Sequence, residues 1–202
     1  MEFFTDKFFK LVLFIGVILF YGATYLRVLI TYIKTNVNHY DFEESKDKGF
    51  VILFAISAIN LFFSRYVNYF GDLRFVFGSF LVNVNSIGAL FLLASIMLLI
   101  YAQNSLGKSW KIGLEKETKT ELIKTGMYKY TRHPIYVAML LFFTSLFLLL
   151  PTILILVLVI GNYAAIISTA KKEEEFLIEE FGDDYRKYMQ EVNFLFPKIK
   201  KD

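Results

Sequence analysis

The sequence predicts an all-α integral membrane protein with five transmembrane helices, a C-terminal helical hairpin, a cytoplasmic loop and an amphipathic C-terminal helix. Hydrophobic residues make up 56% of its 202 residues, above the roughly 45–50% that is usual for soluble proteins. They are gathered into blocks of about 20 residues or more, the length of helix that crosses a ~30 Å hydrocarbon core. The charged residues are concentrated between these blocks. These observations exclude a soluble globular protein.

Five segments are predicted to span the membrane. The first three cover about residues 8–30, 50–70 and 75–102. The uncharged stretch 136–170 is too long for one span, because its 35 residues would form a helix of about 52 Å. Pro151 lies near the middle of this stretch, lacks an N–H and disfavours helix at the preceding residue. The stretch is therefore predicted to fold back at Pro151 as a hairpin of two spans.

The distribution of Lys and Arg predicts the orientation in the membrane. The loop after the third span carries seven of them, the C-terminal tail carries another seven, and the turn at Pro151 carries none. Since cytoplasmic segments are enriched in Lys and Arg, the loop and the C-terminus are predicted to be cytoplasmic and the N-terminus to lie outside. The first span is longer than the core of a signal peptide and is expected to be retained.

The composition also excludes several classes of site. The chain has no cysteine, so it forms no disulfide, thiolate zinc site or iron–sulfur cluster. Its net charge of +3 gives no reason to expect nucleic-acid binding. The middles of the predicted spans carry no acidic residue, lysine or histidine, which argues against an ion pump or a proton relay. No metal site is predicted.

The polar motifs begin in the cytoplasmic loop, residues 103–133. This loop contains the only tryptophan, Trp110. Residues 120–125 are predicted to form a short helical turn that Gly126 ends. The loop then leads into the fourth span through the run Gly126-Met127-Tyr128-Lys129-Tyr130-Thr131-Arg132-His133-Pro134-Ile135-Tyr136.

Arg132 and His133 are predicted to lie at the N-terminal mouth of the fourth span. Proline is favoured in the first turn of a helix, so Pro134 marks the start of that span. The free N–H groups of a helix start favour a carboxylate or phosphate, and a guanidinium adds further donors. The alternative is that Arg132 and His133 only contact lipid phosphates at the membrane boundary.

A second polar motif follows the fifth span. Glu173 and Glu174 lie within one helical turn of the membrane, and the hairpin returns them to the membrane face of Arg132 and His133. One or both are predicted to bind hydroxyl or amino groups of a ligand, whereas Glu179 and Glu180 are expected to be solvated. Apolar residues then recur at helical spacing, which predicts an amphipathic helix, or a pair broken at Gly182: Leu177, Phe181, Tyr185, Tyr188 and Val192.

These two motifs, separated by a hydrophobic hairpin, resemble the isoprenylcysteine carboxyl methyltransferase family, and in particular its short five-helix prokaryotic-type members. The resemblance is strong from Leu106 to Pro197, whereas the first three spans match only in number and length. The first motif reads Gly126-x-Tyr128-x-x-x-Arg132-His133-Pro134-x-Tyr136, and the second reads Glu173-Glu174-x-x-Leu177-x-x-x-Phe181-Gly182-x-x-Tyr185-x-x-Tyr188.

The resemblance implies an intramembrane methyltransferase that uses S-adenosyl-L-methionine to methylate the carboxylate of a C-terminal isoprenylcysteine, with the lipidic substrate entering from the bilayer. It implies a three-helix transmembrane region, residues 1–102, and a methyltransferase core, residues 103–202. Arg132 and Glu173 would act at the reacting centre. The cofactor-binding residues would be Gln103, Trp110, Gly126, Tyr128, Arg132, His133, Pro134, Tyr136, Glu173 and Glu174.

One departure from the family pattern leaves the methyl acceptor open. Members of the family usually have an arginine four residues before the Glu-Glu pair, where this chain has Thr169. A phospholipid-amine N-methyltransferase shares the plan of loop, hairpin and glutamates and is the first alternative. A membrane NADPH-dependent sterol-type reductase, whose C-terminal region also resembles Arg-His-Pro-x-Tyr, is the second. A membrane scaffold without enzymatic activity would give no reason for two polar motifs to converge on one membrane face.

Overall fold

A computed structural model describes residues 2–35, 81–107 and 121–197. Over these residues the chain folds into five α-helices, α1 (Glu2–Thr35), α2 (Leu81–Leu106), α3 (Pro134–Leu149), α4 (Ile153–Phe181) and α5 (Asp183–Glu191), with a 3-10 turn at Gly126–Lys129. Helices α1, α2 and α4 are long and apolar enough to cross a membrane, and α3 is a shorter apolar helix. The predicted all-helical membrane architecture is confirmed. The second predicted span, residues 50–70, lies outside the described residues.

The hairpin predicted at Pro151 is also confirmed. Helix α3 ends two residues before Pro151, and α4 begins two residues after it. The Thr152 hydroxyl caps α4 by accepting a hydrogen bond from the Ile155 N–H at 3.2 Å, which satisfies one of the donors that a helix start leaves unpaired. The hydroxyls of Thr144 and Tyr163 hydrogen-bond to each other across the hairpin.

Close packing joins α1, α2 and α3 into one apolar core. Gly88 allows α2 to approach the end of α3, because a Cβ atom at Gly88 would lie only 2.9 Å from the Cβ of Leu148. Phe20 of α1 is fully buried and stacks on Phe142 of α3 with the ring centroids 4.0 Å apart. This packing sets how α1, α2 and α3 lie against one another.

Helix α4 continues well beyond its apolar part. Its first 18 residues, 153–170, are uncharged and measure about 27 Å, close to the thickness of the hydrocarbon core. The charged part that follows continues to Gly182, whose φ of 56° and ψ of −124° end the helix. Helix α5 then packs Tyr185 and Tyr188 against the end of α4 and against Leu122 of the loop. Of the two predicted alternatives, one amphipathic helix or a pair broken at Gly182, the structure has the pair.

The helical turn predicted for residues 120–125 is wrong over the part that the structure describes. Residues 121–125 are not helical, and Thr125 has an extended backbone with φ −106° and ψ 174°. Gly126, with φ +61°, begins the 3-10 turn instead of ending a helix. The physical reason is tertiary, because Leu122 packs against the tyrosines of α5 and the backbone at Gly126 lies against α2.

Candidate functional site

The mouth of α3 has the form that the sequence predicts. Pro134 is the first residue of α3, and His133 is its N-cap, with no side-chain cap bond. The side chain of His133 is buried. Its ring lies 5.4 Å from the Tyr136 ring, between centroids. Tyr136 is therefore placed beside His133, one turn into the helix.

The 3-10 turn before this mouth rests on the last turn of α2. The Met127 N–H donates to the Ser105 hydroxyl at 3.4 Å, and a Cβ atom at Gly126 would lie only 2.9 Å from the Ser105 Cβ. Gln103 and Tyr128 are both buried, on α2 and on this turn respectively. Sequence reasoning missed Ser105, because nothing in its local pattern marks a residue that contacts a turn 21 positions later. Trp110 lies outside the described residues.

A single oxygen, Oε1 of Glu174, joins the two predicted motifs. It accepts hydrogen bonds from Arg132 Nε at 2.6 Å, from the Tyr185 hydroxyl at 3.4 Å, and it lies 3.2 Å from His133 Nε2. Oε2 of Glu173 lies 3.6 Å from His133 Nδ1. The structure thus brings Arg132 and His133 into direct contact with both glutamates, while Glu179 and Glu180 are exposed.

Arg132 also holds residues 189–194, which we call the C-terminal segment. Its Nη1 donates to the carbonyl oxygens of Met189 at 3.2 Å and Val192 at 2.5 Å. Its backbone N–H donates to the carbonyl oxygen of Asn193 at 3.0 Å. The ring of Phe194 packs against His133, 4.9 Å between centroids. Within the described residues, Nη2 is the guanidinium nitrogen of Arg132 that has no acceptor.

The charges around His133 favour its protonated form. Burial alone would lower the pKa of His133, but hydrogen bonds and charges from Glu173 and Glu174 raise it above its ordinary value. Burial raises the pKa of Tyr128, and the nearby negative charge of Glu173 raises it further. Burial likewise raises the pKa of Tyr188, whose hydroxyl donates to the Tyr128 carbonyl oxygen at 2.5 Å. The tyrosines therefore stay neutral donors beside two carboxylates and two cations.

Comparison with known proteins gives a sequence match and a fold match. Residues 87–179 match the family model of the isoprenylcysteine carboxyl methyltransferase (ICMT) family. This match begins within α2, upstream of Leu106, and includes the mouth of α3, the hairpin and both glutamates. It ends before α5 and the C-terminal segment. No curated protein matches.

Among solved structures, the eukaryotic intramembrane Ras methyltransferase ICMT (isoprenylcysteine carboxyl methyltransferase) is similar in fold. The two chains share 20% sequence identity and a TM-score of 0.58, and the match covers 86% of this chain and 61% of that chain. This chain therefore spans about three fifths of the length of the solved protein. The resemblance to the isoprenylcysteine carboxyl methyltransferase family is confirmed, by a sequence match over residues 87–179 and by a shared membrane fold.

Proposed function

We propose that this protein is an intramembrane methyltransferase that uses S-adenosyl-L-methionine and methylates the carboxylate of a C-terminal isoprenylcysteine. The observation that carries the proposal is the contact of Arg132 and His133 with Glu173 and Glu174. These four residues come from two separate motifs within the segment that matches the family, and they meet at one end of the helical hairpin. The family match over residues 87–179 favours a methyl-transfer site at these four residues.

The residues at this site fit the polar groups of the cofactor. A carboxylate suits Nη2 of Arg132, together with the N–H groups at the start of α3. The ammonium group or ribose hydroxyls suit the carboxylate of Glu173, whose side chain is 36% exposed. Tyr136, which is half-buried, would offer an aromatic face to the adenine, and the buried Tyr128 is a further proposed contact. Gly126 and Pro134 fix the backbone on either side, and Gln103 and Trp110 remain further proposed contacts.

Methyl transfer to a carboxylate requires no general acid or general base from the protein. When bound, S-adenosyl-L-methionine would supply an electrophilic methyl group, and methylation of a carboxylate oxygen needs no proton transfer. The residues of the chain therefore need to bind, align and exclude water rather than act as acid or base. Glu173 and Arg132 would orient the reacting groups, and the half-buried Phe194, whose ring packs against His133, would help keep water from His133.

The arrangement in the membrane belongs to the same proposal. Residues 103–202 would form the methyltransferase core and residues 1–102 a three-helix transmembrane region, with α2 crossing this boundary. The site would face the cytoplasm, and the N-terminus would lie outside. A lipidic acceptor would reach the site from the bilayer with its apolar chain still in lipid, so that only its carboxylate enters the polar cluster.

Thermal unfolding of the detergent-purified protein tests the cofactor. S-adenosylhomocysteine should raise the melting temperature in a dose-dependent way, because a ligand that binds only the folded state stabilises it by mass action. NADPH at the same concentrations is the control. A shift with NADPH and none with millimolar S-adenosylhomocysteine would favour the sterol-type reductase instead.

Transfer of a labelled methyl group tests the acceptor. Thr169, one turn before Glu173, is buried and neutral. It therefore offers no positive charge to an acceptor carboxylate, and a phospholipid amine is the second candidate acceptor. We expect base-labile label on N-acetyl-farnesylcysteine and none on its desfarnesyl analogue. Base-stable label on phosphatidylethanolamine would instead establish N-methylation and contradict the carboxylate acceptor.

A further inference from the structure

The two adjacent glutamates of the site have different surroundings. The side chain of Glu174 is 12% exposed and contacts a guanidinium, an imidazole and a phenol through one oxygen. The side chain of Glu173 is 36% exposed, and its contact with His133 is longer, at 3.6 Å. Successive residues on an α-helix point about 100° apart. The two carboxylates therefore contact opposite nitrogens of His133, and of the two only Glu174 also contacts Arg132 and Tyr185.

Glu174 is connected through Arg132 to the C-terminal segment. Oε1 of Glu174 binds Nε of the guanidinium, while Nη1 of the same planar group binds the carbonyl oxygens of Met189 and Val192. Because a guanidinium is rigid and flat, fixing its Nε also fixes the direction of its Nη1. The orientation of Glu174 therefore sets the two side-chain hydrogen bonds by which Arg132 holds the C-terminal segment. The backbone N–H of Arg132, bound to the Asn193 carbonyl oxygen, and the Thr131 hydroxyl, bound to the Phe194 carbonyl oxygen at 3.1 Å, hold the segment independently of Glu174.

We propose that Glu174 is a positioning residue that holds the C-terminal segment in place through Arg132, and that Glu173 is the carboxylate presented to the ligand. The identity of that ligand rests on the proposed function, whereas the positioning role does not. If Glu174 turned toward a ligand, Arg132, His133 and Tyr185 would lose their shared acceptor. The side chain of Arg132, only 9% exposed, would then lack its counter-charge, which is costly for a buried cation.

The chain is suited to a thiol-accessibility test because it contains no cysteine. Val192 is buried in the C-terminal segment and Ala102 is buried in α2, so V192C and A102C place one thiol at each site with little change in packing. Each is combined with E173Q, with E174Q or with the exposed control E175Q. The rate of thiol labelling is measured on the full chain in detergent without ligand. The affinity of each variant for S-adenosylhomocysteine is then measured separately.

E174Q should raise the labelling rate of V192C by about tenfold or more, as expected when a charge-assisted hydrogen bond is lost. It should leave A102C unchanged, which separates release of the C-terminal segment from general unfolding. E173Q should label V192C at the parental rate and yet weaken S-adenosylhomocysteine binding by about tenfold or more. E175Q should change neither quantity.

Two results would overturn the proposal. Parental labelling of V192C in E174Q would show that Glu174 does not hold the C-terminal segment, and unchanged ligand affinity in E173Q would show that Glu173 does not face the ligand. If E174Q does not fold, Y185F provides the second variant, since it removes a different donor to the same oxygen and should raise V192C labelling to a smaller extent. If the parent does not bind S-adenosylhomocysteine, the proposed function fails, while the labelling comparison still decides the positioning role.

Discussion

At the scale of single residues, the site is built from charges that neutralise one another. Arg132 and His133 face Glu173 and Glu174 within 2.6–3.6 Å, and none of the four would be well tolerated alone in a partly buried place. A cluster of paired charges can lie at the membrane boundary and still offer single groups to a ligand. Within the described residues, Nη2 of Arg132 has no acceptor and can bind a ligand.

We expect His133 to make stability depend on pH. Its pKa in the folded protein is raised, net of the lowering caused by burial, because Glu173 and Glu174 favour the imidazolium. The stabilisation is fully present below the ordinary histidine pKa of about 6.5 and is lost as the pH rises through the raised value. The melting temperature in detergent should therefore fall with rising pH above about 6.5, and more steeply for the parent than for H133Q. Equal slopes of melting temperature against pH for the parent and H133Q would show that His133 is not the source of the pH dependence.

At the scale of secondary-structure elements, short irregular segments decide how the helices meet. The 3-10 turn lies between the end of α2 and α5, held by Met127 on one side and by the Tyr188 hydroxyl on the other. Arg27 of α1 donates to the Gly107 carbonyl oxygen at 2.5 Å, where α2 ends. These contacts place the 3-10 turn between the end of α2 and α5, just before the mouth of α3.

Two glycines with similar backbone angles allow the packing of this turn to be tested. Gly126 and Gly107 have φ of 61° and 56°, but a Cβ atom would clash with Ser105 only at Gly126, and at Gly107 it would meet nothing within 4 Å. G107A should cost about 1 kcal/mol of unfolding free energy, the cost of the strained backbone alone. G126A should cost about 2–3 kcal/mol, because overpacking is added.

Denaturant unfolding in detergent, followed by circular dichroism, measures both glycine variants. G161A is a further control, since Gly161 lies inside α4 with open space around it, and alanine favours helix. G161A should be neutral or slightly stabilising. Equal losses for G126A and G107A would mean that the turn moves away from Ser105 at no cost.

At the scale of the whole molecule, α1 is held to the rest by aromatic packing. Phe20 is fully buried against Phe142, while Phe14 on the same helix is 58% exposed. Lipid solvates apolar side chains about as well as the protein does, so burial between helices stabilises mainly through close packing. The contribution of Phe20 therefore comes from the fit of its ring.

We expect F20A to lower stability and F14A to leave it nearly unchanged. Phenylalanine-to-alanine changes cost about 3–5 kcal/mol in water-soluble cores, and the loss here should lie at or below about 3 kcal/mol, since only packing is lost. The melting temperatures of both variants in the same detergent give the comparison. A similar loss for both would show that the Phe20–Phe142 stack does not hold α1 in place.

The sequence alone determined the features that depend on neighbouring residues. The length of the apolar segments predicted the helices α1, α2 and α4, because the thickness of the bilayer sets the length of a span. Pro151 and Pro134 predicted the turn of the hairpin and the start of α3, because proline restricts the backbone next to it. The spacing of apolar residues after Glu174 predicted an amphipathic helix with Tyr185 and Tyr188 on its apolar face, and in α5 both are buried.

Only the tertiary structure decided how the site is arranged. The turn predicted for residues 120–125 failed because Ser105 and the tyrosines of α5, remote in sequence, set the backbone there. The sequence could not distinguish the roles of the adjacent residues Glu173 and Glu174. Their surroundings differ because of where Arg132, His133 and Tyr185 lie in the folded protein. Local sequence fixes backbone preferences, whereas hydrogen-bond partners between distant segments exist only once packing has brought those segments together.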